Sequence, residues 1–237
     1  AMTFHHIAVD EWSNTVLAGE LGEAYSAFSN GHEPRLAAPK LQYADYALWQ
    51  EEQSNSEAKQ DALGFWKDHL RDAPTLTHWK HVRSEKAERG PTEQVTFCLE
   101  GDTSVSLRAL AERLNLTEFA LFLGLYSAFL GRVMGTSVVT VGVPVTNRSD
   151  AALGNLIGMF LNTVAIATRP GLGLGIDTFL EQVDSAWKTS RPHQWVGFDE
   201  VIRSLGRGES GLFDTVMTLV PQGEAPAFQG LSTELVS

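Results

Sequence analysis

The order of periodic segments predicts an α/β layered domain, a mixed sheet with flanking helices. Two observations carry this. Residues 95–99 alternate Val95, Phe97 and Leu99 with Thr96 and Cys98, and residues 137–144 form a β-branched run; both patterns suit strands. Apolar stripes at helical spacings of three and four recur before, between and after such runs, with no internal repeat of fixed period.

Taken in order, residues 12–28 place Leu17, Leu21, Ala24 and Phe28 on one face, which predicts an amphipathic helix packed on a core. Ser29-Asn30-Gly31 ends it, and residues 34–39, bounded by prolines, form a connection. A second helical stretch runs over residues 43–70 with a break near Ser54-Asn55; Leu63, Trp66 and Leu70 stripe its second half. Residues 80–91 are charged and poor in apolar side chains, and read as an exposed linker. After the strand at 95–99, Asp102 is a candidate helix cap, followed by Leu107, Leu110 and Leu114. Thr117 caps a more uniformly apolar helix that Gly135 stops. Residues 162–168 and 214–220 are expected as further strands, the last ending at Pro221, and 176–187 as a helix.

The 237 residues are enough apolar material for one large domain or two small lobes. No uncharged apolar run reaches the roughly 18 residues that a membrane span needs, since the run over 119–131 stops at Arg132. A formal net charge of −11 disfavours polyphosphate partners and anionic lipid, so nucleic acid and membrane are not expected as partners. The single cysteine, Cys98, rules out an internal disulfide and a cysteine-rich zinc site, and fits a cytoplasmic location. Ala1-Met2 reads as an appended residue before a start methionine, with no leader pattern behind it.

The densest chemistry lies in His5-His6-Ile7-Ala8-Val9-Asp10-Glu11-Trp12-Ser13, expected at a strand-to-helix junction. A neutral imidazole accepts a proton near pH 7 while a neighbour fixes its tautomer. Two surface histidines are the plain alternative. A zinc site would need a third ligand such as His193, and adjacent residues of an extended segment point to opposite faces, so no metal is expected.

His5 to Asp10 is similar to the His-His-x-x-x-Asp motif of condensation domains of nonribosomal peptide synthetases, a motif shared in form with chloramphenicol acetyltransferase and with epimerization domains. Tyr43-Ala44-Asp45-Tyr46-Ala47-Leu48-Trp49 resembles the Tyr-x-Asp-Phe/Tyr-Ala-x-Trp motif, a form that epimerization domains generally lack. Val141-Gly142-Val143-Pro144-Val145-Thr146-Asn147-Arg148 resembles Gly-x-Pro-x-x-Asn-Arg, and Ile157-Gly158-Met159-Phe160-Leu161-Asn162-Thr163 resembles Ile-Gly-x-Phe-Val-Asn-Thr. The four stand in the family's order, and the likeness extends from Phe4 to about Gly230.

The resemblance implies a two-layer sandwich lobe like that of chloramphenicol acetyltransferase. It implies the C-terminal part of a condensation domain, with a histidine-motif and helical segment over 1–90, an α/β lobe over 91–237, and an N-terminal lobe outside the chain. The implied activity is amide-bond formation between a donor acyl or peptidyl thioester and an acceptor aminoacyl thioester. Both ride on phosphopantetheine arms of upstream and downstream carrier proteins, beside an adenylation domain, with no bound cofactor. His6 is then the general base or the group that places the amine, His5 braces the loop, and Asp10 pairs with Arg148 in a supporting role. Glu11, Trp12, Asn162 and His193 are implied at the substrate channel, although Glu11 could simply start the helix and Asn162 could satisfy a bulged strand.

Departures accompany the likeness. Glu11 stands where the first motif usually closes with glycine, and Ala167 where an arginine is expected. His193-Gln194-Trp195-Val196-Gly197-Phe198-Asp199 keeps only part of His-Gln-Asp-x-Pro-Phe-Glu, and residues 207–211 keep little of Arg-Asp-x-Ser-Arg-Asn-Pro. A noncatalytic docking module, an epimerization domain and a thioester hydrolase are the competing functions.

Overall fold

The computed structural model describes residues 2–74, 92–171, 173–207, 211–220, 228 and 230–232. In chain order these form α1 (Glu11–Ser29), α2 (Tyr43–Glu52), α3 (Glu57–His69), α4 (Gly101–Arg113), α5 (Glu118–Met134), β1 (Val139–Thr146), β2 (Leu161–Thr168), α6 (Ile176–Ser190) and α7 (Phe198–Ser204). The chain divides into two compact units that are discontinuous in sequence and so cut across the expected segments 1–90 and 91–237. One comprises Ala1–Gln60, Val145–Asn162 and Leu219–Ser237, the other Asp61–Pro144 and Thr163–Thr218.

In the first unit, α1 begins where the Asp10 side chain accepts from the Ser13 amide, satisfying one of the donors that a helix start leaves free. Gln42 and Asp45 form a reciprocal capping box at the start of α2. The core of this unit is Tyr46, Leu153, Leu156 and Phe160. The stripe on α1 does not seal against it. Ser13 and Gly22 are the buried residues of that helix, and Phe28 is 60% exposed.

The second unit is built on a layer of helices. Thr117 accepts from the Ala120 amide at the start of α5, and Gly135 ends the helix at φ 63°, a left-handed conformation that glycine adopts without a Cβ clash. Leu107, Leu110 and Leu114 of the α4 region pack on a core of Ala111, Leu121 and Leu180. Gly124 lets Leu180 of α6 approach α5 so closely that any Cβ there would collide with it. Trp66 and Leu70 are fully buried.

β1 and β2 pair antiparallel, their ends tied by Asn147 N–H donating to Phe160 O at 3.2 Å and Thr168 Oγ1 to Val139 O at 3.3 Å. A parallel bridge joins Gly142 to Val216, giving the mixed character expected of the sheet. The strand expected over 214–220 is reduced to that bridge, and Pro221 lies outside the described residues. The strand expected over 95–99 does not form. Val95 and Phe97 are 87% and 77% exposed, and no described strand pairs with them; alternation gives a face but not the ladder partner a strand needs. The expected cap Asp102 lies inside the first turn of α4, because the chain already turns at Gly101, φ 62°. The linker expected over 80–91 lies outside the described residues. Among the described residues no single helix is long and apolar enough to cross a membrane.

Candidate functional site

The first unit brings residues from all four sequence motifs around the Arg148 guanidinium. Nη1 donates to the carbonyls of Leu153 and Leu156 at 2.6 and 2.7 Å, and Nη2 to Asp10 Oδ1 at 3.1 Å and Ser13 Oγ at 2.9 Å. Its carbon sits 4.0 Å from the centre of the Phe160 ring, a cation–π contact. Asp10 accepts from the Ser13 amide at 2.8 Å, the Ser13 hydroxyl at 2.7 Å and the Phe160 amide at 3.1 Å. Burial alone would raise the Asp10 carboxyl, but these hydrogen bonds and the Arg148 charge outweigh it and hold the group below its ordinary value. Ser13, fully buried, also accepts from the Gly158 amide at 3.0 Å. Its one proton has Asp10 Oδ1 and Gly158 O, at 2.8 Å, within reach, and the charged carboxylate is the stronger acceptor.

Tyr43 donates to Met159 O at 2.8 Å and meets the Phe160 ring edge-on, with centroids 5.2 Å apart. Tyr46 packs on the same ring at 4.7 Å and hydrogen-bonds the Asn147 side chain. Asp45 therefore caps the helix, Tyr43 and Tyr46 pack it onto the 157–160 segment, and Trp49 stacks on Tyr46.

The paired histidines occupy a turn rather than the expected end of a strand. The two rings have opposite polarity. Ile7 N–H donates to His5 Nδ1 at 3.1 Å, so the neutral His5 ring carries its proton on Nε2. His6 Nδ1 lies 2.7 Å from Val9 O, a carbonyl that only accepts, so in its neutral form the His6 ring carries the proton on Nδ1 and the lone pair on Nε2.

His6 lines an open groove of about 780 Å³ with Glu11, Asn14, Leu17 and Leu21 of α1, and Leu161 of β2. Leu17 and Leu21 of the α1 stripe thus form part of a groove wall, whereas Ala24 and Phe28 do not line it. Trp12 does not line this groove; its Nε1 donates to Gly154 O at 2.8 Å, pinning the 151–154 turn to α1. Asn162 is half-buried on β2, next to Leu161 but not part of the wall. His193 belongs to the second unit, stacked on Phe65 at 4.3 Å with its carbonyl accepting from Trp66 Nε1. Burial lowers its ring against the opposing pull of Asp61. Among the described residues no group of three His, Cys, Asp or Glu side chains is placed to hold a metal.

The family model for the condensation domain matches residues 1–234. The chain belongs to the condensation-domain family. It is 30% identical over 212 residues to a dimodular nonribosomal peptide synthase of Bacillus subtilis, covering 87% of this chain and 9% of that protein. It is 31% identical over 203 residues to phosphinothricin tripeptide synthetase PhsC of Streptomyces viridochromogenes, covering 85% of this chain and 19% of that one. Two solved structures share the fold. One is the first condensation domain of the calcium-dependent antibiotic synthetase in complex with a substrate analogue, at TM-score 0.76, 22% identity, and coverage of 94% of this chain and 51% of that one. The other is the X-domain from teicoplanin biosynthesis, at 0.78, 23%, 90% and 49%. The chain therefore spans about half the length of these solved relatives.

Within this condensation-domain chain, the residue that sequence reasoning passed over is Ser13. Its signal was present, because an N-cap aspartate three residues before a serine places that serine where it can return to the cap. His69 was missed as well. It is half-buried in the second unit, accepts from the Ala167 amide at 3.1 Å, and is pushed down to about 4 by desolvation and then by the Arg169 charge. Ala167, at the family's arginine position, is itself 2% exposed.

Proposed function

We propose that this chain supplies the histidine-bearing part of a peptide-bond-forming site, and that a complementary N-terminal lobe completes the channel around the groove. The donor acyl or peptidyl group and the acceptor aminoacyl group arrive as thioesters on phosphopantetheine arms of carrier proteins, with an adenylation domain adjacent, in the cytoplasm. No bound cofactor takes part.

The observation that carries this reading is the polarity of His6. Nδ1–H donates to the Val9 carbonyl, which leaves Nε2 as the ring nitrogen able to accept a proton, and His6 is one of the residues lining the groove. An α-amine with a pKa of about 7.7–8.0 is partly neutral at pH 7. Its nitrogen attacks the donor carbonyl and an N–H proton passes to His6 Nε2. The amide forms as the C–S bond breaks, and the leaving thiolate takes the proton back from His6 Nε2, restoring the neutral ring. His6 also orients the amine through the same lone pair. Asp10 and Arg148 hold the turn and the 153–160 segment in register, and His5 braces the turn.

The test is an intact-mass assay on the complete protein that carries this chain, with loaded donor and acceptor carriers. The expected product is a dipeptidyl thioester on the acceptor carrier, slowed by about 10²–10⁴-fold in His6→Ala. An absence of product from the unaltered protein with its natural carrier pairs, while both carriers still bind, would establish docking rather than catalysis. Accumulation of free acid would establish a hydrolase.

A further inference from the structure

Glu11 is the departure from the family pattern that the structure places in the groove itself. It occupies the first position of α1, is exposed, and lines the same wall as His6 and Asn14. The cap hydrogen bond does not need it, because Asp10 accepts from the Ser13 amide; Glu11 has only the general attraction of a first-turn acid to the helix N-terminus, and no described donor meets its carboxylate. No salt bridge involves it among the described residues, and no lysine or arginine lines the groove. Asp10, the other acid of the wall, has its carboxylate committed to Arg148, Ser13 and Phe160. The remaining lining is apolar apart from Thr3, Asn14 and His6. The groove thus carries one carboxylate with no described side-chain counter-charge, on the same largely apolar wall as His6.

We propose that Glu11 makes this groove selective for a substrate carrying an ammonium group. The proposal rests on the reading that the groove receives the amine-bearing substrate. An unpaired carboxylate beside the groove lowers the free energy of a cation entering it and repels an anion. Two sources share this chemistry: the α-ammonium present on every acceptor in its protonated form, and a basic side chain present on some. Because Glu11 faces solvent, the preference is modest. An exposed pair of this kind gives about a fivefold difference in affinity at low ionic strength, and less as salt screens it.

The experiment measures binding without turnover, so its result is independent of whether His6 performs catalysis. Three pantetheine amides that cannot transfer their acyl group serve as probes: glycyl, with an α-ammonium; N-acetylornithinyl, with a side-chain ammonium; and glycolyl, without charge. Affinities are measured by calorimetry for the complete protein, Glu11→Gln and Glu11→Gly, at low salt and at high salt. The expected result is that one charged probe binds the unaltered protein about fivefold more tightly than glycolyl, and that the ratio falls toward one in both variants and at high salt. Which charged probe shows the preference identifies the source. Equal affinity of all three probes for the unaltered protein, or a preference that survives Glu11→Gln, would overturn the proposal. Circular dichroism of both variants, matching the unaltered protein, ensures that a lost preference reports charge rather than unfolding.

Discussion

Arg148 and Asp10, separated by 138 positions, meet at 3.1 Å with side chains 2% and 3% exposed. A pair this buried is held by its additional hydrogen bonds as much as by its charges. Desolvating two ions is costly, and the carbonyls of Leu153 and Leu156, the Ser13 hydroxyl and the Phe160 amide satisfy most of what the pair leaves open.

Removing either partner leaves the other buried and uncompensated. Arg148→Ala and Asp10→Ala are each expected to destabilise the chain by about 3–5 kcal/mol in urea denaturation. The double variant is expected to lose clearly less than the sum. Additive losses would mean that the two groups are energetically independent despite their contact.

Ser13→Ala removes the hydroxyl that links Asp10, Arg148 and the Gly158 amide. The expected cost is about 1–3 kcal/mol, because the Gly158 N–H is left buried without its acceptor. A change below about 0.5 kcal/mol would show that a neighbouring group takes over.

At Gly158, a Cβ would run into the Tyr43 ring. Gly158→Ala is expected to cost about 1–3 kcal/mol as an overpacked site, and the additional change Tyr43→Ala should recover part of that loss. Recovery is the informative measurement, since a backbone effect at Gly158 would persist without the ring.

The pH dependence of stability has a sign fixed by His69. Its ring is held down to about 4 in the folded chain against an ordinary value near 6.5, so below about 6.5 the unfolded chain binds a proton that the folded chain refuses. This contribution is complete above that pH and is lost as pH falls toward 4, to an extent of about 3 kcal/mol. The Asp10 carboxyl, also held low, contributes stability above the ordinary carboxylate range that disappears only at still lower pH. Urea midpoints at pH 7, 5.5 and 4.5 should therefore fall more steeply for the unaltered chain than for His69→Gln. Parallel slopes would assign the acid sensitivity to other groups.

Sequence alone reached the helices with strong termini and the strands with partners. Thr117 and Gly135 bracket α5 within a residue of expectation, because a side-chain cap and a left-handed glycine are local causes. Residues 95–99 misled for the opposite reason: their alternation is local, but a strand depends on a neighbour elsewhere in the chain. Leu17 and Leu21 of the α1 stripe line a groove instead of sealing a core, and periodicity cannot say what a face meets. At the site, the pairing of Asp10 with Arg148 entered through the family resemblance. Nothing in the composition or spacing of either segment connects them. Trp12 and His193 were implied at the channel by the family resemblance; the contacts found for them are packing contacts, Trp12 holding the 151–154 turn and His193 stacking on Phe65 in the second unit. A motif records which residues recur together, and packing residues recur as faithfully as reacting ones.

The opposite polarity of His5 and His6 gives the turn a matched pair of reporters. In a nitrogen spectrum of the neutral rings, the Nδ1 of His5 resonates as a lone-pair nitrogen and that of His6 as a protonated one, so neighbours of the same type become separable signals. A molecule entering the groove and engaging His6 Nε2 shifts one signal set and leaves the other as its internal standard. Occupancy of the groove can thus be followed without labelling the molecule that fills it.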